Sequence, residues 1–315
     1  MPRPPATISG TATISGACLS DLAGSLPVMA ASIGASAGDV QRAPAPGSWR
    51  MCARRPAVPV RPYVSGYAGY RTEASPRSVH QGVASPHLTF VLCLDGKVEM
   101  VANPDRSKPP GAFVAMVAGL HQQPAEIAHG DPQTGLQLRL TWRGTRALFG
   151  VPAGELAGDV VDLEALLGRR TEPLLARLAA ATGWAERFAL LDTEFAALTA
   201  RGSGDRGVLP EVGYAWDRLE ESGGNLRISE LAREVGWSRR HLGEKFRVET
   251  GLSPKTAARV IRFERACDRL RGPRRPSLAA VAADAGYVDQ AHLSRDFRDL
   301  AGTTATAWLA ERQAH

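Results

Sequence analysis

The sequence predicts an α+β chain: an N-terminal antiparallel β-barrel or sandwich with trailing helices, then an all-α C-terminal region of two helix-turn-helix units joined by a long helix. Three observations predict it. Apolar residues recur with period two between Tyr63 and Trp142, and with helical spacing from Pro173 onward. A glycine-rich stretch, Arg201-Gly202-Ser203-Gly204-Asp205-Arg206-Gly207, interrupts the helical half and reads as a linker over 201–208. One motif occurs twice after that linker. Its first copy is Leu231-Ala232-Arg233-Glu234-Val235-Gly236-Trp237-Ser238, then His241-Leu242 and Phe246, closed by Gly251. Its second is Val281-Ala282-Ala283-Asp284-Ala285-Gly286-Tyr287-Val288, then His292-Leu293 and Phe297, closed by Gly302.

The first sixty residues are rich in Ala, Ser, Gly and Pro and carry a short direct repeat, Ala6-Thr7-Ile8-Ser9-Gly10 and Ala12-Thr13-Ile14-Ser15-Gly16. A segment so poor in large apolar groups buries little, so residues 1–60 are expected to be a disordered extension. A start at Met29 or Met51 is the competing expectation, and a signal peptide is disfavoured because prolines, serines and Asp21 break any apolar core. Residues 61–200 are expected to form the β-rich unit with its helices, and 209–315 the helical unit.

Within the β-rich unit Leu88–Leu94 is a mostly apolar run, and Asp95-Gly96 predicts a hairpin turn into alternating Val98, Met100 and Ala102. Pro109-Pro110-Gly111 breaks the chain before a further run, Phe113–Val117. Leu136, Leu138, Leu140 and Trp142 alternate, one face in and one face out. Short strands with turn signals between them suit a small antiparallel barrel or sandwich. Leu174, Leu175 and Leu178 follow Pro173, and Phe188, Leu191, Phe195 and Leu198 then form one stripe of one helix. That stripe suits either dimerisation or a cover for the barrel.

Pro210 opens the C-terminal unit with a helix carrying Val212, Trp216 and Leu219 on one face, ended by Gly223-Gly224. A helix over Ile228–Glu234 meets Gly236, where only glycine takes positive φ cheaply. Ser238 caps Arg239–Thr250, Gly251 stops it, and Ser253-Pro254 starts the connecting helix, which ends at Gly272-Pro273. Ser277, Gly286 and Asp289 repeat the pattern. Leu242 and Phe246, like Leu293 and Phe297, must face inward. The outward stripe is then Arg239, Arg240, Gly243, Glu244 and Arg247 on the first helix, and Gln290, Ala291, Ser294, Arg295 and Arg298 on the second. Arginine can fork onto guanine and glutamine onto adenine, and small residues let a helix sit close to thymine methyls. A charged stripe alone would be a solvated bundle face; two copies in register argue for base reading by Arg239, Arg240, Gly243, Glu244, Gln290, Ala291, Ser294 and Arg295. Ser238, His241, Arg247, His292 and Arg298 are candidates for phosphate contact, although His241 and His292 serve equally as helix-edge packing. Arg262, Arg265, Arg269, Arg271, Arg274 and Arg275 ring the connecting helix, where Glu264 and Asp268 offer surface salt bridges as readily as DNA offers phosphates.

Charge alone decides little. The chain carries +6 overall with a pI near 9.4, and 209–315 holds 18 Lys/Arg against 15 Asp/Glu. Such a balance favours a polyanionic partner without requiring one. Cys18, Cys52, Cys93 and Cys267 are scattered, with no C-x-x-C pair, and read as reduced thiols of a cytoplasmic protein. No apolar run reaches eighteen residues, so no membrane partner is expected.

From Leu209 onward these residues resemble the DNA-binding domain of the AraC/XylS family of bacterial transcription regulators. The resemblance rests on Leu231-Ala232, Gly236-Trp237-Ser238, His241-Leu242, Phe246 and Gly251-Leu252-Ser253-Pro254, and on Val281-Ala282, Ala285-Gly286-Tyr287, Asp289-Gln290 and His292-Leu293-Ser294-Arg295 with Phe297. It implies seven helices, a long fourth one between the reading helices, and base contacts from Arg240, Gly243, Glu244, Gln290, Ala291 and Arg295. It also implies a cupin-like sensor with a helical pair ahead of the linker, promoter DNA and RNA polymerase as partners, a small-molecule effector, a homodimer, and activation before repression. Departures are Glu244 where arginine is frequent, Ala257 where tyrosine is frequent, and Gly302-Thr303-Thr304-Ala305 without the usual proline.

The alternative is a cupin-type enzyme with an appended DNA-binding domain. A metal cupin wants a His-x-His pair, a glutamate and a later histidine on facing strands. Here His80, His87, His121 and His129 stand apart in sequence, with Glu99 and Glu126 as isolated carboxylates. No metal, no cofactor and no catalytic residue is therefore expected. A repair methyl acceptor would need a clustered cysteine site, which the spacing does not provide.

Overall fold

A computed structural model describes residues 49–201, 207–272 and 276–313. The expectations for residues 1–48, and for most of the linker, lie outside the described residues. Ten strands come first: β1 (Trp49–Arg54), β2 (Val64–Thr72), β3 (Ser78–Gly82), β4 (Leu88–Asp95), β5 (Val98–Ala102), β6 (Gly111–Phe113), β7 (Ala115–Ala118), β8 (Ala125–His129), β9 (Gln133–Leu140) and β10 (Val160–Asp162). They form two antiparallel sheets, β1-β2-β9-β4-β7-β10 and β3-β8-β5-β6. The architecture is the predicted sandwich rather than a closed barrel.

Three expectations change in detail. The extension assigned to residues 1–60 cannot run that far, because β1 pairs with β2 from Trp49↔Thr72 to Arg54↔Tyr67. The turn at Asp95-Gly96 exists, with Gly96 at φ 81°, but β4 and β5 do not pair with each other. β4 already has β9 and β7 on its two edges, and β5 has β8 and β6, so the turn carries the chain from one sheet to the other. The run Phe113–Val117 divides for the same reason into β6 of one sheet and β7 of the other.

Four helices, α1 (Trp142–Phe149), α2 (Leu163–Leu167), α3 (Thr171–Ala180) and α4 (Trp184–Arg201), follow or interleave with the last strands. Phe188, Leu191 and Phe195 of α4 are buried. Phe188 stacks on Tyr67 at 5.8 Å, and Phe195 meets Phe90 at 6.1 Å. The stripe considered for dimerisation therefore covers the six-stranded sheet. Each such aromatic withdraws its ring from water, worth about 1.5–3 kcal/mol. Asp192 ties the helix down from its buried face, accepting from Tyr67 Oη at 3.1 Å and from the Ala57 amide at 2.8 Å.

The alternation of β9 places Leu136, Leu138 and Leu140 against these helices, fully buried. Its opposite face is not solvent. Gln137 and Arg139 are also buried, because the four-stranded sheet and the C-terminal helices cover that side.

Seven helices make the C-terminal region: α5 (Pro210–Glu221), α6 (Ile228–Glu234), α7 (Arg239–Thr250), α8 (Pro254–Arg271), α9 (Leu278–Ala285), α10 (Gln290–Ala301) and α11 (Ala305–Gln313). Their bounds follow the capping residues read from the sequence. The first helix-turn-helix shares its core with the sandwich: Trp216 lies 5.7 Å from Phe246 and 5.9 Å from Trp142. The second has a core of its own around Phe263, Phe297 and Trp308, joined by Ala84 and Val83 from the loop after β3. Among the described residues no helix is long and apolar enough to cross a membrane.

Candidate nucleic-acid interface

The two helix-turn-helix units are built alike down to their hydrogen bonds. α6 and α9 each end in a reversed turn in which the aromatic amide returns to the helix, Trp237 N to Ala232 O at 2.9 Å and Tyr287 N to Ala282 O at 2.8 Å. That turn needs a left-handed residue, supplied by Gly236 at φ 71° and Gly286 at φ 84°. The next helix is then capped by a side chain accepting from its third amide: Ser238 Oγ from His241 N at 3.1 Å, and Asp289 Oδ1 from His292 N at 2.7 Å. The histidine of each unit packs edge-on against the aromatic of the turn, His241 on Trp237 at 4.6 Å and His292 on Tyr287 at 5.0 Å. This brace sets the angle at which each second helix leaves its turn.

Leu242, Phe246, Leu293 and Phe297 are buried, as the spacing requires. Their burial turns the opposite face outward. Arg239, Arg240, Glu244, Gln290, Ala291 and Arg295 are exposed, and Gly243 and Ser294 are half-exposed in the same stripes. Of the residues considered for phosphate contact, Ser238, His241, Arg247 and Arg298 are exposed and His292 is half-buried. Arg240, whose side chain is 90% exposed, donates from Nε to Glu244 Oε1 at 2.9 Å. That hydrogen bond and charge hold the Glu244 carboxyl below its usual range. A pair this open to water is weak.

Two departures from the family pattern have a structural resolution. Ala257 is fully buried on α8. Thr304 takes up the capping task before α11: its Oγ1 accepts from Ala307 N at 3.1 Å and its carbonyl from Trp308 N at 2.8 Å.

The sequence reading missed the contacts between the two halves. Glu249, at the end of α7, takes a two-pronged grip from Arg146 of α1, with Nη2 at 2.9 and 3.0 Å and Nε at 3.2 Å. Glu264 of α8, read from sequence as a surface salt-bridge partner, is instead 12% exposed and accepts from Arg139 Nη2 at 2.8 Å and Ser85 Oγ at 3.3 Å. The Ala84 amide donates to Leu300 O of α10 at 2.9 Å. A signal was available for Glu249, which falls at the inward position after Leu242 and Phe246.

The β3–β8 pairing also brings together His80 and His129, which the sequence separates; their ring centroids lie 4.2 Å apart. Burial and the neighbouring His129 ring push the His80 imidazole well below its usual range, so it stands neutral. Both rings line an internal cavity of about 100 Å³, walled mainly by Val91, Met100, Met116 and Ile127 and closed by Arg271 and Trp308 from the C-terminal region. Among the described residues, no group of three or more His, Cys, Asp or Glu side chains is placed to hold a metal ion.

Residues 231–311 match a helix-turn-helix domain family. No curated protein sequence matches the chain. Among solved structures, ToxT from Vibrio cholerae is similar at 8% identity and a TM-score of 0.50, covering 84% of this chain and 98% of that one. A wild-type ToxT from Vibrio cholerae strain SCE256, described as bound to an unsaturated fatty acid, is similar at 9% identity and 0.49, covering 81% and 96%. The AraC-like transcriptional activator CuxR is similar at 15% identity and 0.30, covering 66% and 84%. At 8% identity the likeness to ToxT is one of fold. With the turns and caps described above, residues 231–311 form a paired helix-turn-helix domain whose motif is similar to that of the AraC/XylS family.

Proposed function

We propose that the protein is a transcription regulator that lays α7 and α10 into successive major grooves on one face of promoter DNA. The matched construction of the two units carries this reading: equal turns, equal caps and equal aromatic braces present two exposed stripes. Arg239, Arg240, Gly243 and Glu244 read bases from α7, and Gln290, Ala291, Ser294 and Arg295 from α10. Ser238, His241, Arg247, His292 and Arg298 hold phosphates beside them. Regulation acts on the nucleoid in the cytoplasm, is activating, and engages RNA polymerase as second partner.

An effector would enter the cavity between the sheets. At about 100 Å³ the cavity is smaller than the engineered one of ~150 Å³ that accepts benzene, so any larger ligand must part its walls. Those walls belong to both halves, and a ligand that prefers one arrangement of them shifts the equilibrium toward it.

The test is enrichment of duplexes from a random pool by the full chain, followed by Arg240→Ala and Arg295→Ala. Each substitution should cost about 1–3 kcal/mol on the enriched site and relax preference at one base position. An equal loss on every sequence would remove both from the reading role. A pool that yields no preferred sequence would remove the proposal itself.

A further inference from the structure

We infer that the depression between the two helix-turn-helix units is a phosphate saddle, which holds the DNA backbone where it passes from one reading helix to the other. The inference rests on the DNA-binding reading above and adds to it a site between the reading stripes, which it meets at Arg239. The depression measures about 450 Å³ and is lined by Arg227, Arg239, Lys255 and Arg262, with Ser229 and Asn225 between them. Four cations therefore face one hollow, and no carboxylate lines it.

None of the four has a carboxylate partner among the described residues. Their neighbours do: Arg218 pairs with Glu234 at 3.0 Å, Arg259 with Asp296 at 2.7 Å and Arg271 with Asp268 at 2.7 Å. Arginines nearby are thus held in ion pairs, while these four cations share one hollow that no carboxylate lines. Like charges gathered without counterions repel, an arrangement that an incoming polyanion relieves. Arg262 adds a second observation. Its guanidinium lies 5.4 Å over the Tyr287 ring, which fixes its plane, while its Nε is buried with no hydrogen-bond acceptor. A guanidinium held over a ring at the wall of the hollow suits the oxygens of a phosphodiester.

Location selects DNA as the source of that phosphate. Arg239 is the first residue of α7, and Gly286, which also lines the hollow, is the corner from which α10 is launched. Reading helices meet base edges with their N-terminal residues. A duplex engaged by both must therefore pass across the ground between those two N-terminal ends, which is the saddle. Its contacts go to the sugar-phosphate chain, so they add affinity and register without sequence preference.

The experiment compares the full chain with Arg227→Gln, Lys255→Gln and the double variant Lys255→Gln/Arg262→Gln. Each is titrated against a duplex enriched from a random pool and against a mixed-sequence duplex, over 50–200 mM salt. Each lost phosphate contact should flatten the plot of log affinity against log salt by about 0.9. Across that salt range the wild type should then lose about tenfold more affinity than the double variant. The deficit should be equal on both duplexes, and the enriched sequence should not change. Arg262→Lys, which keeps the charge, should keep the slope and so separates charge from the packing on Tyr287. Unchanged slopes, or a deficit confined to the enriched duplex, would overturn the saddle while leaving the reading helices intact. A wild-type chain whose binding to any duplex ignores salt would overturn both.

Discussion

Replacing Glu264 by glutamine should make the protein less stable at neutral pH by an amount that disappears in acid. Glu264 projects from α8 into the sandwich, where Arg139, itself 11% exposed, lies 2.8 Å away and His87 Nδ1 lies 3.6 Å away. Burial by itself would raise the carboxyl; the Arg139 charge and the His87 contact overcome it and lower the pKa from 4.5 to about 2. At 1.36 kcal/mol per pH unit this difference corresponds to roughly 3 kcal/mol in favour of the folded chain. The sign follows from the direction. A folded-state carboxyl below its unfolded value binds its proton later than the unfolded chain does, so the contribution is complete above pH 4.5 and drains away as pH falls toward 2. Urea denaturation of wild type and Glu264→Gln between pH 7 and pH 2.5 measures it, because other carboxylates titrate in both proteins and cancel in the difference. The stability gap should be about 3 kcal/mol at pH 7, of the order expected for breaking a buried pair, and should narrow steadily below pH 4.5. A gap that does not change with pH, or no gap at pH 7, would refute the account of Glu264 as a charged anchor.

Two other anchors can be tested by equilibrium unfolding. Glu249→Gln leaves Arg146 without its two-pronged partner and should cost about 3–5 kcal/mol, while replacing both residues by apolar ones of similar size should recover much of it; failure of the double variant to recover would show that the pair is not the cause. Gly286→Ala should destabilise more than Gly236→Ala. Both sit at positive φ, a strain of about 1–3 kcal/mol for alanine, but a Cβ on Gly286 would stand 2.1 Å from Asn225 Oδ1, whereas the space beside Gly236 is open. Equal losses, or the reverse order, would show that the Asn225 contact adds nothing to the backbone strain at these corners.

The helical half was legible in the sequence nearly residue by residue because its determinants are local. Ser238, Gly251, Ser253, Ser277 and Asp289 each cap or stop a helix through groups no more than four residues away. The outward stripes followed from the same arithmetic, since burying Leu242 and Phe246 leaves only one face for Arg240 and Glu244. The sandwich was legible as strands but not as pairings. Whether the turn at Gly96 closes a hairpin or changes sheets depends on which edges of β4 are already occupied, and that is decided by β9 and β7, far along the chain. The stacking of His80 on His129 was hidden for the same reason. Polar residues that join the halves were the least visible. Glu264 is surrounded in sequence by arginines of its own helix, and nothing local says that its partner is Arg139 on the opposite face of β9.

That hidden interface bears on how α7 and α10 are held. α8 joins the two units, yet each is also fastened to the sandwich by a different element. α7 is held at its last turn by Arg146 of α1, close behind β9. α10 is held at its last turn by the Ala84 amide, in the loop that continues β3. β3 is a wall of the internal cavity, through His80, Gln81 and Gly82, while α1 is not. β3 ends two residues before the contact that holds α10, and through Arg271 the cavity wall also includes the last turn of α8. The placement of α7 and α10 is thus tied to the sandwich as well as to α8.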